Sequence, residues 1–327
     1  MRPASAWVVG SGGLLGSSVA RRLPLEMPGV AVWTNPTRFS WGDPAALEGE
    51  LDAATRAYLS VLAPGSPWMA LWCAGAGVVG TPAGALAQET KTLEMLLGRL
   101  SSAAGERPGF FFLSSSAGGI YGGSTEVPLT EESTPRPISD YGRAKLRQEE
   151  LLTSWAAARP RVSLLIGRIS NLYGPDQNLS KSQGLIAYLS RCLLHHVPAH
   201  VFAPLDTLRD HLYAPDGASQ ILAAMDRLTR MPPPARIVKI VASGQTASIG
   251  AILAVFSRIA KRQPRIVCAP TPIRALQPPR ISLKSTVWTD LPLRAPTPIS
   301  AGIQSVYAHH LRLFQAGRLP VPPATRA

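Results

Sequence analysis

The sequence predicts an α/β protein built on a doubly wound parallel sheet, and three observations support that prediction. Apolar segments that end in small or polar residues alternate with segments whose apolar positions recur at helical spacing. The apolar segments are apolar throughout, which is typical of strands covered on both faces. A glycine cluster joins the first apolar segment directly to the first helical one. Together these features favour helices on both faces of a parallel sheet.

The predicted elements follow one another in a regular order up to about residue 175. Residues 7–23, WVVGSGGLLGSSVARRL, predict a strand, a glycine turn and a helix. Further strands are predicted at 30–34, 68–77 and 109–116, a strand that leaves into a loop at 162–175, and helices at 85–103 and 141–158. Sheets of this kind bind ligands at the carboxyl ends of their strands, which is where the small and polar clusters occur.

This regularity weakens after residue 176. Residues 184–196 and 248–262 have helical spacing and 237–243 predicts a short strand, but proline becomes frequent. Proline ends helices and central strands. We therefore expect the large sheet over residues 1–175 and a smaller mixed α/β domain over 176–327, with the strand near 237–243 a candidate to return to the main sheet.

Composition narrows the class of protein. The chain has 327 residues, and its 46% of hydrophobic residues are sufficient for a sizeable core. No apolar run reaches the ~20 residues that a membrane span needs. The first residues enter a strand and glycine pattern at once, so we predict no signal peptide. Three widely spaced cysteines indicate free thiols in a reducing, cytoplasmic setting and no metal site.

The net charge of +13 is unevenly distributed along the chain. From Arg227 onward, 15 Lys and Arg residues face a single acid, Asp290, so the whole excess lies in the last third. Such a segment can attract nucleic acid, an anionic membrane or phosphorylated small molecules. It has no compact Lys/Arg run and few aromatic residues, and a solvated basic surface is the alternative.

The first glycine cluster predicts dinucleotide binding. Its G-x-x-G-x-x-G pattern follows a strand and opens a helix, where backbone can approach a pyrophosphate and the helix N-terminus favours negative charge. A tight turn needed only for packing is the alternative. The candidate cofactor-binding residues at this edge are Gly10, Gly13, Leu14, Leu15 and Gly16, together with Ala74 at the end of the third strand.

The residues after the second strand favour NADP or tolerance of either cofactor. Dinucleotide folds usually place an acid there for the adenosine ribose, but the chain has Thr34 followed by Asn35. Arg38 is a candidate for binding a 2′-phosphate, or an ordinary surface arginine. Asp43, expected after a short third strand, would accept a hydrogen bond from the adenine amine or cap the next helix.

A serine cluster, a tyrosine and a lysine predict proton transfer beside the cofactor. Tyr141 and Lys145 are one helical turn apart and therefore share a face. A phenol has an ordinary pKa of about 10, and a neighbouring ammonium lowers it. A serine hydroxyl from a strand end would hold the substrate oxygen beside the phenol while hydride leaves the same carbon.

Five segments together resemble the extended short-chain dehydrogenases/reductases, the epimerase/dehydratase group that acts on nucleotide sugars. They are GSGGLLG, SSSAGGIYGG, PLTEESTPRPISDYGRAKLRQEELL, RISNLYGPDQN and RDHLYAPDGA. The resemblance implies a Rossmann-type fold, NAD or NADP as cofactor and a homodimer through a four-helix interface. It also implies that Tyr141 is the base, and that Lys145 lowers its pKa and holds the nicotinamide ribose.

The register of the active serine is less regular than in the family pattern. The active hydroxyl of similar proteins lies four residues before the tyrosine of the Y-G pair, which here is Ala117, four before Tyr121. An added glycine lengthens the turn, and the distance from Ser116 to Tyr141 still matches. We therefore expect Ser116 to be the active hydroxyl, with Ser115 as the second candidate.

The resemblance also implies a set of substrate-binding residues. Asn171 would touch the substrate diphosphate or hold its loop, Arg209 would bind phosphate, and Arg274 is a weaker second candidate. Asp210 is expected to buttress Arg209, the alternative being a structural ion pair between the two. The substrate-binding candidates are Ser115, Ser116, Tyr141, Asn171, Arg209 and Arg274, and the partner is a nucleotide sugar, not nucleic acid.

The residues directly after the active hydroxyl bear on the reaction class. Dehydratases carry an Asp-Glu pair after the active hydroxyl, and Ala117 and Gly118 stand there instead. We expect a C4 epimerase of a UDP- or dTDP-type sugar in surface polysaccharide biosynthesis. A 4-keto reductase using NADPH is the first alternative. A non-catalytic cofactor-binding protein, or a basic protein at a membrane surface, is the second.

Overall fold

The structure is a computed structural model, and it describes residues 2–179, 184–268 and 279–322. Its strands are β1 Ser5–Val9, β2 Ala31–Trp33, β3 Trp68–Trp72, β4 Gly109–Ser116, β5 Val162–Ile169, β6 Asn171–Tyr173, β7 Ala199–Val201, β8 Leu208–Tyr213, β9 Arg236–Val241, β10 Thr246–Ser248 and β11 Ile266–Cys268. Its helices are α1 Leu14–Glu26, α2 Pro44–Ser60, α3 Ala83–Ala104, α4 Ala117–Ile120, α5 Asp140–Ala157, α6 Leu185–Leu194, α7 Ala214–Leu228, α8 Ile249–Ala260 and α9 Ile299–Gln315.

The largest sheet confirms the predicted doubly wound parallel fold. It has six strands in the order β2-β1-β3-β4-β5-β9, and every neighbouring pair is parallel. Alternate residues of a strand point to opposite faces, and in β1 both sets are apolar. Trp7 and Val9 pack among residues of α2 and α3, whereas Ala6 and Val8 pack among residues of α1 and α7. Both faces of the sheet are therefore covered by helices.

A second, smaller group of elements lies beyond β5. It contains a three-stranded sheet in the order β10-β8-β6 and a two-stranded sheet of β11 and β7. Helices α6, α8 and α9 pack with this group around Tyr173, Phe256 and Ile303, which are at most 2% exposed. The chain after residue 176 also contributes the strand β9 to the large sheet and packs the helix α7 against it. The division at residue 175 stays a prediction.

Two predicted strands differ from the structure. The short strand expected before Asp43 is absent: residues 34–42 form turns and irregular backbone, held where Ser40 N–H donates to Glu50 at 2.7 Å. A strand in this segment could not pair with β1, because both edges of β1 are already paired, by β2 and β3. Residues 162–175, expected as a strand that leaves into a loop, begin with the strand β5, but after Ser170 they form a second short strand, β6, which leaves the large sheet to pair with β8.

The helices and cysteines bear on the class of protein. Within the described ranges, no helix combines the length and the apolar character that crossing a membrane requires. Cys73, Cys192 and Cys268 are free thiols.

Candidate functional site

The glycine turn brings β1, β3 and α1 into close contact. A Cβ built on Gly16 would lie 2.1 Å from the Gly10 carbonyl oxygen, and one built on Gly10 would lie 2.7 Å from the Ala74 nitrogen. Gly10 also has a φ of +84°, which favours glycine. Only glycine fits at these two positions, so the turn lies directly against the end of β3.

The start of α1 is open to an anion. Its N-cap is Gly13, which provides no side-chain hydrogen bond to the first turn. The first backbone N–H groups of a helix have no acceptor within the helix. Leu14 and Leu15 contribute two of these groups; the side chain of Leu15 packs inward, 7% exposed, and that of Leu14 is half-buried. A narrow glycine turn followed by an uncapped helix start fits the pyrophosphate of a dinucleotide.

The residues expected at the adenosine end lie together on one exposed segment after β2. Thr34 and Arg38 are both exposed. Asp43 caps α2, because its Oδ1 accepts the N–H groups of Ala45 at 3.1 Å and Ala46 at 3.2 Å. The structure therefore shows the capping arrangement that the sequence left open for Asp43, and the carboxylate remains exposed beside the segment.

The two candidate serines have different surroundings. Ser116 Oγ accepts the N–H of Gly119 at 3.1 Å and lies on the same side of that glycine as the Tyr141 ring. Ser115 instead donates to Glu149 Oε1 at 2.6 Å and is 5% exposed. Ala117, at the family's usual serine position, is fully buried in the core. The turn thus places Ser116 against the tyrosine and removes Ala117 from it.

Gly119 leaves the space in which the tyrosine ring lies. A Cβ built on Gly119 would be 3.1 Å from two carbons of the Tyr141 ring and 3.2 Å from Ser116 Oγ. Helix α5 presents Tyr141 in its first turn, which Ser139 caps by accepting the N–H of Gly142 at 3.1 Å. The glycine added to the loop is therefore part of the packing that joins the serine to the tyrosine.

Lys145 lies one turn after Tyr141 and is almost completely buried. Its Nζ is 5.9 Å from the centre of the Tyr141 ring and donates to Gln148 Oε1 at 3.1 Å. Burial lowers the pKa of the Lys145 ammonium, and the nearby Glu89 and Glu149 carboxylates oppose that change. The lysine has no carboxylate within ion-pair distance among the described residues, so its charge is only partly compensated.

The pKa of Tyr141 shifts against the expectation. Burial raises the pKa of its phenol, the hydrogen bond with Ser116 acts to lower it, and Glu89 raises it further. We expected Lys145 to lower this pKa, but the net direction in the structure is upward. The physical reason is that desolvation of a buried phenolate outweighs the favourable contacts. The protein therefore holds Tyr141 as a neutral phenol.

A closed ionic network lies directly behind this site. Arg168 of β5 forms an ion pair with Glu149 of α5, Nη2 to Oε2 at 2.7 Å, and donates to the Tyr121 hydroxyl at 2.5 Å. Both charged side chains are at most 8% exposed. Together with the bond from Ser115, these contacts satisfy the carboxylate. Ser115 is therefore part of the support for α5 and not of the surface beside Tyr141.

The segment predicted to bind substrate has one unsatisfied cation. Arg209 donates from Nη1 to the Leu208 carbonyl at 2.8 Å, while its buried Nη2 has no hydrogen-bond partner among the described residues. Burial lowers the pKa of Arg209 to about 10. Asn171 Nδ2 donates to the Asp210 carbonyl at 3.0 Å and so ties β6 to β8. Arg274 lies outside the described residues.

The expected pairing of Asp210 with Arg209 is wrong. Asp210 is fully buried and accepts from the N–H of Ser243 at 3.0 Å and from its hydroxyl at 2.9 Å. Adjacent residues of a strand point to opposite faces, so the two side chains diverge. Asp210 therefore anchors the loop after β9, and Arg209 is left with an unfilled donor.

One residue beside the site was missed in the sequence. Glu89 of α3 accepts the N–H groups of Ala76 at 2.6 Å and Gly77 at 2.5 Å, and it acts electrostatically on both Tyr141 and Lys145. Three residues before it, Leu86 is buried. The sequence did contain a signal for Glu89, since it is a carboxylate on the face of the predicted helix that carries the apolar residues.

Comparison with known proteins places the chain in context. The model of the NAD dependent epimerase/dehydratase family matches residues 6–240. A dTDP-L-rhamnose 4-epimerase of Burkholderia thailandensis is 35% identical over 129 residues, which are 39% of this chain and 34% of that protein. A dTDP-4-dehydro-6-deoxyglucose reductase of Escherichia coli is 26% identical over 112 residues, 34% of this chain and 35% of that protein. The matched segments thus span about a third of each relative's length.

Solved structures show the same fold over nearly the whole chain. The UDP-glucose 4-epimerase of Thermotoga maritima with UDP-glucose superposes with a TM-score of 0.76 at 22% identity, covering 95% of this chain and 99% of that chain. Sequence identity at this level shows a shared fold and no more.

Proposed function

The chain belongs to the NAD dependent epimerase/dehydratase family, and from that premise we propose that it is an NAD(P)-dependent nucleotide-sugar 4-epimerase. The observation that carries the proposal is the meeting of Ser116, Tyr141 and Lys145 at the carboxyl end of β4: Ser116 Oγ and the Tyr141 ring both lie against Gly119, and Lys145 follows one helical turn after Tyr141. The relatives named as a 4-epimerase and a 4-dehydro-sugar reductase both act at the same carbon, C4.

The cofactor would lie along the carboxyl edge of the large sheet. The Gly10 turn and the uncapped start of α1 would hold its pyrophosphate, Lys145 its nicotinamide ribose, and the exposed segment of Thr34 and Arg38 its adenosine ribose. When bound, the nicotinamide supplies the hydride acceptor and donor. The tight fit of Gly10 against Ala74 supports this placement, because it holds the glycine turn against the carboxyl end of β3, at the edge where the cofactor would lie.

The chain's own residues would handle the proton. The Ser116 hydroxyl and the Tyr141 side chain lie against the same glycine, Gly119, and would together hold the C4 oxygen of the sugar. Tyr141 would first release its own proton to solvent; the phenolate would then take the C4 hydroxyl proton as hydride leaves C4, and the phenol would return that proton to the ketone oxygen when hydride comes back to the other face. The Lys145 ammonium would stabilise the phenolate during the step in which Tyr141 is deprotonated.

The substrate would be a UDP- or dTDP-type sugar held through its diphosphate. Arg209 offers a buried guanidinium with an unfilled donor, and such a group binds phosphate oxygens in bidentate geometry. Asn171 fixes the strand β6 beside it. Surface polysaccharide biosynthesis in the cytoplasm is the expected setting.

A reductase that uses NADPH is the second candidate. The observation that favours it is the exposed Thr34 at the position of the usual ribose-binding acid, with the exposed Arg38 four residues on. A positive charge at this end of the crevice suits a 2′-phosphate. The same active residues would then deliver one proton to a 4-keto group without regenerating the cofactor.

We also propose a homodimer through α3 and α5. The two helices run side by side and leave a groove that small residues line together with charged ones, the small ones including Ala83, Ala87 and Ala144 and the charged ones Asp140, Arg143 and Arg147. Small side chains allow helices of a second copy to approach closely, which suits a four-helix interface. Sedimentation or light scattering of the purified protein measures its mass directly, and a monomer at micromolar concentration would contradict this part of the proposal.

The cofactor that co-purifies with the protein tests the proposed function. An epimerase returns the hydride it removes and has no need to release its cofactor, so we expect tightly held NAD or NADP at close to one equivalent. Denaturation and chromatography of the released nucleotide identify it and its redox state. A protein that purifies without nucleotide and binds only NADPH would favour the reductase.

A further inference from the structure

The basic excess in the last third of the chain is not used by the candidate site. Six of its Lys and Arg residues fall in two segments, 249–268 and 299–322, which carry the helices α8 and α9. These two segments contain no Asp or Glu, and neither does the segment 185–201, which carries α6 and packs with both helices. A whole group of packed elements therefore has cations and no acid.

The three helices meet at their C-terminal ends. Arg262, just after α8, donates to the Leu193 carbonyl at the end of α6, and its Nη1 lies 2.8 Å from Nδ1 of His196. His195, which caps α6, has its Nε2 3.2 Å from the carbonyl oxygen of Leu319, in the segment after α9. The ends of α6, α8 and α9 thus form one end of the smaller group of elements.

A buried arginine fixes the segment that follows α9 against this end. Arg191 of α6 is 4% exposed, and it donates from Nε to the Pro320 carbonyl at 3.0 Å and from Nη2 to the Val321 carbonyl at 2.7 Å. The backbone on both sides of Arg318 is therefore held, by α9 before it and by Arg191 after it. The cations of this end project from a fixed surface.

The cations of this surface are open to solvent and have no anionic partner. Five of them are exposed and one is half-buried, and none forms an ion pair among the described residues. We call this group the basic end, and it consists of Arg258, Lys261, Arg262, Arg265, Arg312 and Arg318. Gathered like charges repel one another and attract an anionic partner.

Stabilisation of helix ends explains only part of the basic end. Cations interact favourably with the C-terminus of a helix, and Arg258 and Arg312 lie in the last turns of α8 and α9. Arg265 lies outside any helix, directly before β11. A role in folding alone also leaves the exposed apolar side chains beside these cations without an explanation.

Three apolar side chains are exposed next to the cations. Val267 of β11 is 41% exposed, Phe314 of α9 is 39% exposed and Val321 is 64% exposed. The Phe314 ring packs edge-on against the ring of His195, with 5.1 Å between their centres. Cations that bind phosphate groups and apolar side chains that enter the acyl boundary are the combination found at lipid surfaces. Valine cannot stack on bases, so these side chains favour lipid over nucleic acid.

We propose that the basic end binds the surface of a membrane containing anionic phospholipid and holds the protein there as a peripheral protein. The inference goes beyond the proposed function, because none of the residues of the basic end belongs to the candidate site. Binding through this end leaves the residues of the cofactor turn and those around Tyr141 available for catalysis.

Flotation of the purified protein with lipid vesicles tests the proposal. We expect the wild-type protein to float with vesicles of equimolar phosphatidylcholine and phosphatidylglycerol, and to stay unbound with phosphatidylcholine alone. Salt at about 1 M should release it, since charges are then screened within ~3 Å. Arg258→Glu, Arg265→Glu and Arg312→Glu together should weaken binding on the order of a hundredfold, since each cation near an anionic surface strengthens binding about fivefold.

A matched triple variant separates this surface from net charge. Arg161→Glu, Lys284→Glu and Arg294→Glu change the charge by the same amount at exposed positions outside the three segments, and this variant should bind as the wild-type protein does. Circular dichroism checks the folding of both variants. If the first triple does not fold, the same three residues are changed to Gln, and a loss of binding well beyond that of the matched triple supports the proposal.

The proposal is overturned if the wild-type protein does not bind the anionic vesicles or binds neutral ones equally well. Equal losses in the two triple variants would also overturn it, because binding would then follow net charge and not the basic end. Binding of labelled duplex DNA or RNA by a wild-type protein that ignores the vesicles would assign the basic end to nucleic acid instead. The vesicle assay needs neither cofactor nor sugar, so its outcome is independent of the proposed function.

Discussion

The last two residues of β4, Ser115 and Ser116, are both serines, but the charged groups around them differ: around Ser115 they are paired with each other, and around Ser116 they are not. On one side, Ser115 joins the Glu149–Arg168 ion pair, in which the carboxylate and the guanidinium satisfy each other in the core. On the other, Ser116 lies beside Tyr141, and the nearby Lys145 has only a neutral amide as hydrogen-bond partner. We call the surroundings of Ser115 the closed side, because its charges are paired, and the surroundings of Ser116 the open side. Paired charges in the core support the fold, whereas buried groups whose charge is not balanced are suited to chemistry. The difference assigns structure to one serine and proton transfer to its neighbour.

Replacing the phenol tests the open side with the largest expected effect. Tyr141→Phe removes the proton-transfer group and leaves the ring that packs on Gly119. Turnover should fall by roughly 10²–10⁴, while the dissociation constant for cofactor changes little. Steady-state rates and cofactor titration measure the two quantities. Turnover within tenfold of wild type, about 1.4 kcal/mol, would remove Tyr141 from the mechanism.

Opening the closed side should affect stability instead. Glu149→Gln leaves the Arg168 guanidinium buried without its carboxylate, and breaking a buried ion pair in this way costs about 3–5 kcal/mol. Denaturant unfolding measures the loss. The matched variant on the open side is Lys145→Met: burial lowers the pKa of Lys145, so its charge already costs stability, and its removal should leave the unfolding free energy unchanged or higher. Equal losses in both variants would erase the distinction between the two sides.

The two serines give the sharpest local comparison. Ser116→Ala should lower turnover on the order of 10²–10³, as loss of a donor to the reacting oxygen does, with little change in stability. Ser115→Ala should lose about 1–3 kcal/mol of stability through the loss of a buried hydrogen bond to the Glu149 carboxylate, which keeps its bonds to Arg168, and turn over close to the wild-type rate. If the two kinetic results are exchanged, the serine register is off by one residue.

The smallest expected effect concerns the exposed segment at the adenosine end. Arg38→Ala should weaken NADP(H) binding by roughly tenfold, about 1.4 kcal/mol, and leave NAD(H) nearly unchanged, because only NADP carries a 2′-phosphate. Titration of both cofactors against the purified variant compares the two constants. Equal losses for the two cofactors would mean that Arg38 does not contact the 2′-phosphate.

The sequence predicted the parts of the site that depend on local spacing. The glycines of the first turn and the Tyr141–Lys145 face are set by neighbours within one helical turn, and the parallel sheet follows from apolar runs. The opposite orientation of Ser115 and Ser116 also follows from strand geometry. The same geometry, applied to β8, would have corrected the expected pairing of Asp210 with Arg209.

The remaining features depend on contacts between distant segments. Arg168 reaches Glu149 from another element, and Glu89 meets Lys145 only because α3 and α5 pack side by side. The direction of the Tyr141 pKa likewise depends on burial, which a Tyr-x-x-x-Lys pattern does not contain. Packing between distant segments therefore determines which residues of the site have their charge paired, which do not, and in which direction the pKa of each one shifts.

The hydrogen at C4 of the sugar gives the most direct test of the central claim. UDP- and dTDP-sugars that carry deuterium at C4 are incubated with the wild-type protein and with Tyr141→Phe, and the products are followed by NMR and mass spectrometry. The account predicts that the wild-type protein forms the C4 epimer with deuterium retained at C4 and no net consumption of cofactor, and that the variant forms almost none. Loss of deuterium to solvent, or stoichiometric oxidation of NADPH, would contradict it.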